Sequence, residues 1–487
     1  MIEVFLGIDQ GSSSTKGVLV TSGGDVLYHH RVSAPPISEV DKHVEQDAST
    51  ILESVTEVFA ACVSEAKRQD KTIASWGLAT QRSGVVAWNK LSGDVMCPMI
   101  TWADTRTQHI IDGFGREADK ITEQTGLPTI ANFAAPKIHL LQRNFQDATT
   151  LVATLDTFLL HRLTNGLRYT TEDTMAARTM LYNLSDQTWS EDLCRRFKVE
   201  KRRLPEITPS LFSHGVYQGI PLTAMLGDQQ AALFSFGGTK NQAVLNLGTI
   251  GSAVVMTGDD LVLQPGLKTT PCYSSEDQAS KGKDVQYVSE ITYPSLGSSM
   301  RGILHKGWCK SSAEIDAMCA ASLAKTSDPK VCAYWANETE ASDAHPFGAP
   351  DTMKEKPDAD DSDRVRAVTE NIGNHIALML EELQAKGLLE EAKKTAIEVS
   401  GGVSAGEYLL QYIADVSGYT LRCRQENEAT AIGAALASMF YTLDLTYVPT
   451  IHTEKAPRVF SPQDSTRRKG FLVWQRLRRD VLAGQVL

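Results

Sequence analysis

Two short hairpins in the sequence carry residue types that bind phosphate. In the first hairpin an apolar run ends at Asp9, and Gly11, Ser12 and Ser13 follow before Lys16 and a second β-rich run. Such a turn offers backbone N–H groups, hydroxyl groups and one cation to an anion. A carboxylate at the strand end is suited to a hydrated Mg²⁺ whose other ligands are water and nucleotide phosphates. Taken alone, the pattern is more typical of an ordinary hairpin with a solvated polar tip.

A second hairpin with a similar pattern of residues, far along the chain, favours phosphate binding. The stretch from Leu245 to Thr257 has an apolar strand, a turn at Gly248 and Thr249, and a β-branched strand. Two such hairpins predict two similar domains that face one nucleotide. Gly401 and Gly402 stand at a predicted strand-to-helix turn, where backbone can approach a flat base or a ribose, although two glycines alone are weak support.

Four further residues have the chemistry of a phosphoryl-transfer site. Asp228 ends a short predicted strand and opens a helix, and a kinase needs a carboxylate there to accept the proton of the attacking hydroxyl. An ordinary helix cap is the alternative for Asp228. Arg82, and Trp102 with Asp104, end neighbouring predicted strands and fit a polyol pocket, since Arg donates to two hydroxyls and Trp covers carbon atoms. Core packing is the alternative for Trp102.

The composition is that of a globular protein and excludes several classes of partner. Of the 487 residues 42% are hydrophobic and 22% are charged, and the net charge is -11, which repels nucleic acid. The eight cysteines show neither zinc-ligand nor disulfide-framework spacing, which is typical of a reducing compartment. The longest nearly apolar stretch, 431–443, is shorter than a membrane span of about 18 residues. With a first strand that begins almost at the N-terminus, these features predict a cytoplasmic protein without membrane insertion.

The order of predicted strands and helices indicates an α/β protein with mixed sheets. Helices are predicted from Asp47 onward and over 363–386, and a basic amphipathic helix is predicted within 467–480. The polar segments 274–286 and 337–363 are expected to be loops. A boundary between domains is placed near 225–242.

The ordered set of motifs resembles the FGGY carbohydrate kinases over nearly the whole chain. The segments that carry the resemblance are Asp9-Gln-Gly-Ser-Ser13, Gln81-Arg82, Trp102-Ala-Asp-Thr-Arg106, Lys137, Ala177-Arg-Thr-Met-Leu-Tyr-Asn183, Gly227-Asp-Gln-Gln-Ala-Ala-Leu233, Gly248-Thr249, Gly401-Gly402, Gln411, Ala414-Asp415, Gly418, Glu428-Ala429 and Gly433-Ala-Ala435.

This resemblance implies an ATP- and Mg²⁺-dependent kinase for a terminal hydroxyl of a sugar or polyol. The implied fold has two ribonuclease H-like domains, as in actin, hexokinase and chaperone ATPases, with mixed sheets around a central cleft. The domains would be an N-terminal, sugar-side domain (1–225), a C-terminal, nucleotide-side domain (226–445) and an extension with the basic helix (446–487). A homodimer is left open.

The resemblance also assigns roles to individual residues. Asp228 would be the general base, and Asp9 and Asp228 would hold the metal. The substrate-binding residues would be Arg82, Ser83, Trp102, Asp104, Asp228 and Gln229, and the nucleotide-binding residues would be Asp9, Gly11, Ser12, Ser13, Lys16, Gly248, Thr249, Gly401, Gly402 and Val403.

Within the family the N-terminal half is most similar to glycerol kinases, with one departure that bears on substrate. Glycerol kinases follow the arginine with a glutamate that accepts hydrogen bonds from glycerol, whereas this chain has Ser83. The loss of a charged acceptor suits a longer ligand such as xylulose or sedoheptulose. Three alternatives stay open: a glycerol kinase that tolerates Ser83, a non-catalytic sugar or nucleotide sensor, and an actin-like ATPase switch.

Overall fold

The fold is an α/β arrangement in a computed structural model that describes residues 2–248, 251–277, 282–293, 296–325, 331–334, 352–424, 428–452 and 456–482. The strands are β1 (Ile2–Gln10), β2 (Ser14–Thr21), β3 (Val26–Ser33), β4 (Ser38–Val40), β5 (His43–Gln46), β6 (Lys71–Thr80), β7 (Val85–Asn89), β8 (Met99–Ile100), β9 (Thr150–Thr154), β10 (Thr170–Glu172), β11 (Tyr182–Asn183), β12 (Thr188–Trp189), β13 (Glu206–Thr208), β14 (Leu211–Tyr217), β15 (Ile220–Gly227), β16 (Ala243–Leu247), β17 (Gly251–Gly258), β18 (Lys268–Asp277), β19 (Gly282–Tyr293), β20 (Val331–Tyr334), β21 (Thr352–Glu355), β22 (Ile397–Ser400), β23 (Leu421–Cys423) and β24 (Arg458–Phe460). The α-helices are α1 (Ala48–Arg68), α2 (Gln108–Asp112), α3 (Ala118–Thr125), α4 (Ala134–Asn144), α5 (Leu155–Leu163), α6 (Asp173–Ala177), α7 (Glu191–Phe197), α8 (Asp228–Phe234), α9 (Leu296–His305), α10 (Ile315–Lys325), α11 (Asp361–Ala385), α12 (Glu407–Ser417), α13 (Ala429–Thr442) and α14 (Ser465–Leu482).

The chain forms two compact units, and each is built from separate stretches of sequence. Unit 1 comprises Met1–Lys240, Met256–Ser289 and Glu428–Glu454, and unit 2 comprises Asn241–Val255, Glu290–Asn427 and Lys455–Leu487. The domains predicted from the sequence differ from these units in that each is one continuous stretch of chain. Their boundaries remain a prediction.

The main sheet of unit 1 is mixed, as predicted. Its strand order is β18-β14-β15-β6-β1-β2-β3, with β1 antiparallel to β2 and parallel to β6. Side chains of β1 alternate between two buried clusters: Val4, Leu6 and Ile8 pack with α1 residues, and Phe5 packs with α13 residues. A sheet covered on both faces explains why β1 reads as an almost continuous apolar run.

Glycines in β1 and β6 let α13 lie directly on the sheet. A Cβ on Gly7 would be 1.9 Å from the carbonyl oxygen of Ala431, and one on Gly77 would be 2.0 Å from that of Ala434. These distances are far below any real contact, so both positions require glycine for the close approach of the helix backbone.

The sheet strands of unit 2 have the order β24-β23-β22-β16-β17. Strand β16 is antiparallel to β17 and parallel to β22, so this sheet is mixed as well. Three helices of unit 2, α11, α12 and α14, pack together through a buried cluster. Its residues are Ala377, Tyr412, Val416, Phe471 and Trp474. The predicted basic C-terminal helix is therefore confirmed, and it packs one apolar face.

The predicted helices are confirmed, and one predicted loop is wrong. Asp47 caps α1 by accepting a hydrogen bond from the Thr50 N–H, and α11 covers nearly all of 363–386. Segment 274–286 was expected to be a polar loop, but its described residues belong to β18 and β19. Most of the expected loop 337–363 lies outside the described residues. None of the helices in the described ranges is both long and apolar enough to cross a membrane.

Candidate active site

The carboxyl ends of three parallel strands meet at one edge of the main sheet of unit 1. Strand β6 pairs in parallel with both β1 and β15, so that Gln10, Thr80 and Gly227 stand side by side. Arg82 follows β6 and Asp228 follows β15 directly, and both therefore lie at this edge. In open α/β sheets, ligands bind outside the carboxyl ends of the strands.

Asp9 is buried at the same edge, with a cation beside it. Nζ of Lys16, opposite Asp9 on β2, is 4.0 Å from Oδ2 of Asp9 and 3.0 Å from Oε2 of Glu428. Burial raises the pKa of Asp9 to about 7; Lys16 opposes this shift, and the carboxylates of Asp228 and Glu428 add to it. A carboxylate with so little solvation gains from a bound cation, which fits the predicted role of Asp9 as a metal ligand.

Buried glutamines support the predicted phosphate turn at residues 11–13. Gln46 donates from Nε2 to the carbonyl oxygen of Ser12 at 2.8 Å. Gln81 donates to Oε1 of Gln46 at 3.1 Å and to Oε1 of Gln10 at 3.3 Å. All three glutamine side chains are shielded from solvent. They fix one carbonyl of the turn, and with it the course of the backbone whose N–H groups are predicted to bind phosphate.

Arg82 and Asp228 form an ion pair at the strand ends. Nε of Arg82 lies 3.0 Å from Oδ1 of Asp228, and the side chains are 9% and 34% exposed. Arg82 also donates from Nη1 to Oε1 of Gln230 at 3.3 Å. Oδ1 of Asp228 accepts from the N–H of Gln229 at 2.7 Å, while Oδ2 has no hydrogen-bond partner among the described residues. One oxygen is thus fixed, and the other is available to accept a proton.

A buried lysine joins the turn after β6 to the end of β8. Nζ of Lys137 donates to the carbonyl oxygens of Thr101 and Asn132 at 2.7 Å each and to that of Ser83 at 3.4 Å. Burial lowers the pKa of Lys137 to about 7. Ser83 has a left-handed backbone with φ 62°, and its hydroxyl donates to the carbonyl oxygen of Arg178 at 3.4 Å. The hydroxyl of Ser83 is therefore engaged with backbone.

Asp104 is enclosed by groups of the protein itself. Its Oδ2 accepts from the N–H of Val44 and from Nη2 of Arg106, each at 2.7 Å, and its Oδ1 accepts from the N–H of Arg106 at 3.0 Å. The side chain is fully buried. These contacts favour a positioning role for Asp104 over the predicted contact with substrate. Trp102 is half-buried nearby, and the predicted roles of Trp102 and Gln229 stay predictions.

The predicted nucleotide residues of unit 2 also lie at strand ends. Strands β16 and β22 run parallel with Asn246 beside Ser400, so Gly248 and Gly401 follow neighbouring strand ends. Gly401 has φ 97°, and a Cβ there would be 2.6 Å from the carbonyl carbon of Leu247, so this position requires glycine. Gly402 and Val403 begin a short 3₁₀ helix over Gly402–Ala405. Thr249 lies outside the described residues.

Two side chains not predicted from sequence brace this turn. Arg458 of β24 donates to the carbonyl oxygen of Ser404 at 2.6 Å and to that of Ala405 at 3.0 Å. Asp316 of α10 accepts from the N–H of Glu407 at 2.8 Å and so caps α12. Each comes from an element distant in sequence, and only the fold brings it to the turn.

Comparison with known families identifies the protein. Residues 4–235 match the N-terminal domain, and residues 283–441 the C-terminal domain, of the FGGY family of carbohydrate kinases. The chain belongs to this family. A glycerol kinase from Streptococcus uberis is 28% identical over an alignment that covers 99% of this chain and 98% of that protein.

Solved structures confirm the predicted kinase fold. A Plasmodium falciparum glycerol kinase with ADP has a TM-score of 0.83 at 21% identity, covering 99% of this chain and 98% of that one. A ligand-bound xylulose kinase from Lactobacillus acidophilus has a TM-score of 0.82 at 19% identity, covering 99% of each chain.

As an FGGY carbohydrate kinase, the protein is a phosphotransferase that moves a phosphoryl group from ATP to an alcohol group of a sugar or polyol. Phosphoryl transfer depends on positioning and on charge stabilisation rather than on covalent chemistry by the protein. The strand-end edge of unit 1 carries two groups of the type that this chemistry uses, a carboxylate held by Arg82 and a buried carboxylate beside Lys16.

Proposed function

We propose that this enzyme phosphorylates a terminal hydroxyl of a small ketose, such as xylulose or sedoheptulose, with Asp228 as the general base. The observation that carries the proposal is the ion pair between Nε of Arg82 and Oδ1 of Asp228 at 3.0 Å. It leaves Oδ2 of Asp228 to accept the proton of the attacking hydroxyl, as general base catalysis requires. Arg82, with its remaining donors, then orients the neighbouring hydroxyls of the sugar.

Nucleotide binding is proposed for both sets of strand ends. The turn over residues 11–13, together with Lys16, binds phosphate groups, and the turn at Gly401 and Gly402 lies against the adenosine. Support comes from the backbone of both turns, one fixed by Gln46 and the other by Arg458. The predicted Thr249 contact belongs to the same proposal.

Mg²⁺ is proposed to be held by Asp9 and Asp228. The described residues contain no cluster of three or more His, Cys, Asp or Glu placed to hold a metal, so water and nucleotide oxygens would complete the ligand set. When bound, Mg²⁺ would neutralise charge on the phosphates. The raised pKa of Asp9 supports this assignment, because a cation would relieve the cost of its ionisation.

Ser83 supports a ketose over glycerol. Its buried hydroxyl donates to the Arg178 carbonyl oxygen, so this position offers no carboxylate to a short polyol. Glycerol kinase proper remains the second candidate, because the Streptococcus uberis relative bears that name.

The test is sugar-dependent ADP release across a panel of xylulose, ribulose, sedoheptulose, gluconate, erythritol and glycerol. We expect turnover with a ketose, and a fall of about 10²- to 10⁴-fold in kcat for Asp228→Asn, because the base is lost. Asp186→Asn, at an exposed turn, is the matched control and should keep full activity. Turnover with glycerol alone would replace the ketose by the second candidate. Equal activity of Asp228→Asn and wild type would refute the base and favour a sensor.

Two features of the whole enzyme are also proposed. It acts in the cytoplasm, where ATP is available to a metabolic kinase, and fractionation of cells with an antibody would test this. It forms a homodimer, which light scattering on the purified protein would test; a monomer mass would contradict the proposal.

A further inference from the structure

A buried carboxylate lies behind the strand end that carries Asp228. Glu172 caps α6 and is fully buried. Its Oε1 accepts from the Met175 N–H at 2.8 Å and from the Thr174 hydroxyl at 2.6 Å. Its Oε2 accepts from the Thr174 N–H at 2.8 Å and shares a hydrogen bond of 2.6 Å with the Ser210 hydroxyl. All four contacts are within this one unit.

The hydroxyl of Thr174 connects Glu172 to the strand end. It accepts a hydrogen bond from the N–H of Gly227 at 2.8 Å. A backbone N–H can only donate, so the Thr174 hydroxyl must give its own proton to Glu172. Glu172 thus fixes the orientation of the hydroxyl, and the hydroxyl fixes the backbone of Gly227.

The other side of Gly227 is closed by Arg82. A Cβ on Gly227 would lie 2.6 Å from Cδ of Arg82 and 2.8 Å from Oε1 of Gln230. Gly227 is therefore held between Thr174 at its N–H and Arg82 at its Cα. Asp228 is the next residue and begins α8, so the direction of its side chain depends on these contacts to Gly227.

We propose that Glu172 and Thr174 are positioning residues that aim the carboxylate of Asp228 at the hydroxyl of the substrate. This inference rests on the proposed role of Asp228 as base. A base must stand within hydrogen-bond reach of the proton that it takes, and a displacement of about 1 Å can cost about 100-fold in rate. Both side chains are fully buried and face other protein groups, so the expected effect is on kcat.

The experiment compares Thr174→Val, Thr174→Ser and Glu172→Gln in the full chain, with kcat and KM for the preferred sugar and thermal unfolding for each. Thr174→Val should lower kcat about 10- to 100-fold with KM for the sugar changed by less than about threefold. Thr174→Ser keeps the hydroxyl and should restore kcat. Glu172→Gln keeps the shape of the side chain and should also lower kcat.

Thr208→Val is the matched control. Thr208 is likewise buried, but its hydroxyl donates to the carbonyl oxygen of Thr171 and not to the strand end. It should lose a similar amount of stability and keep kcat within about twofold. Equal kcat in Thr174→Val and Thr208→Val would overturn the inference.

Asp228→Asn separates this failure from failure of the proposed function. If Asp228→Asn is inactive while Thr174→Val and Glu172→Gln keep full kcat, only the positioning inference fails. If Asp228→Asn is active, the proposed base itself is wrong. In the double variant, Thr174→Val should cause no further loss beyond Asp228→Asn, because there is no base left to aim.

Discussion

Among the buried carboxyl groups of unit 1, Asp9 and Glu172 hold protons more tightly than usual. Burial raises the pKa of Asp9 to about 7 and that of Glu172 to about 8. The main cause is the same for both, since each loses solvation by burial, and at Asp9 the nearby Lys16 opposes the shift without cancelling it. For Glu172 the hydroxyl groups of Ser210 and Thr174 oppose the shift without cancelling it. Neutral pH is therefore a region in which the stability of unit 1 depends on pH.

Stability should fall between pH 5 and pH 8, and Glu172→Gln should reduce the slope. The unfolded state releases this proton near the ordinary value of 4.5, whereas the folded state keeps it to about pH 8, so rising pH favours unfolding. The contribution is at most about 1.4 kcal/mol per pH unit. Urea unfolding at four pH values measures it. Glu123→Gln, at an exposed site, should follow wild type; equal slopes for Glu172→Gln and wild type would contradict the expectation.

The residues that could be predicted from sequence are those whose spacing follows one strand end. Asp9 with its hydroxyl-rich turn, and Asp228 at a strand-to-helix junction, have local patterns, and the structure places both at one sheet edge. The sequence could not show the hydrogen-bonding role of Glu172 or Lys137, because each has a partner on a distant part of the chain. In each case the sequence near the residue offers one sign of a special role, which is a charged side chain among neighbours that are buried.

At the scale of elements, α13 depends on glycine where it meets α8. A Cβ on Gly433 would lie 1.7 Å from the carbonyl oxygen of Ala231, which is backbone and cannot turn aside. Gly433→Ala should therefore destabilise the protein by about 3 kcal/mol or more, because the helix must shift. Chemical denaturation, followed by circular dichroism, measures this loss.

Gly470→Ala on α14 is the matched control. None of the described residues has an atom within 4 Å of a Cβ at Gly470. Alanine has the higher helix propensity, so this change should stabilise by about 0.5–1 kcal/mol. Equal effects of the two substitutions would show that helix propensity, not close packing, governs α13.

Strand β24 carries an arginine that contacts the turn of the proposed adenosine site. Arg458→Ala removes the donors to Ser404 and Ala405, and the turn that begins at Gly401 loses its brace. KM for ATP should rise about tenfold, the equivalent of about 1.4 kcal/mol, with KM for the sugar unchanged. Steady-state kinetics with each substrate varied in turn tests this. Arg476→Ala, exposed on α14, should behave as wild type, and a rise in sugar KM alone would contradict the assignment.

Elements with clear periodicity were predictable, and those with mixed composition were not. The spacing of apolar residues in α1 and α11 gave both helices. Strands β18 and β19 include polar side chains such as Ser274 and Lys283, which made this region look like a loop. The structure shows why they are tolerated, since both bind the buried carboxylate of Asp173.

At the scale of the whole molecule, the sugar and the adenosine part of the nucleotide should protect different units. Hydrogen–deuterium exchange should show that the sugar alone protects amides around residues 80–84 and 226–231, in unit 1. ADP alone should protect those around 400–408, in unit 2, since the turn at Gly401 is the proposed adenosine site. Protection of 400–408 by the sugar alone would contradict the assignment. Apo protein measured in parallel gives the reference.

The position of α13 has a consequence for synthesis on the ribosome. The helix that covers β1 and β6 is synthesised about 350 residues after β6. At about 5–20 residues per second, the nascent sheet waits roughly 20–70 seconds for the helix that covers one of its faces. During that interval the glycine-lined face of β1 and β6 is open to water and to other chains. Incomplete chains are therefore expected to aggregate through this face more readily than full-length chains.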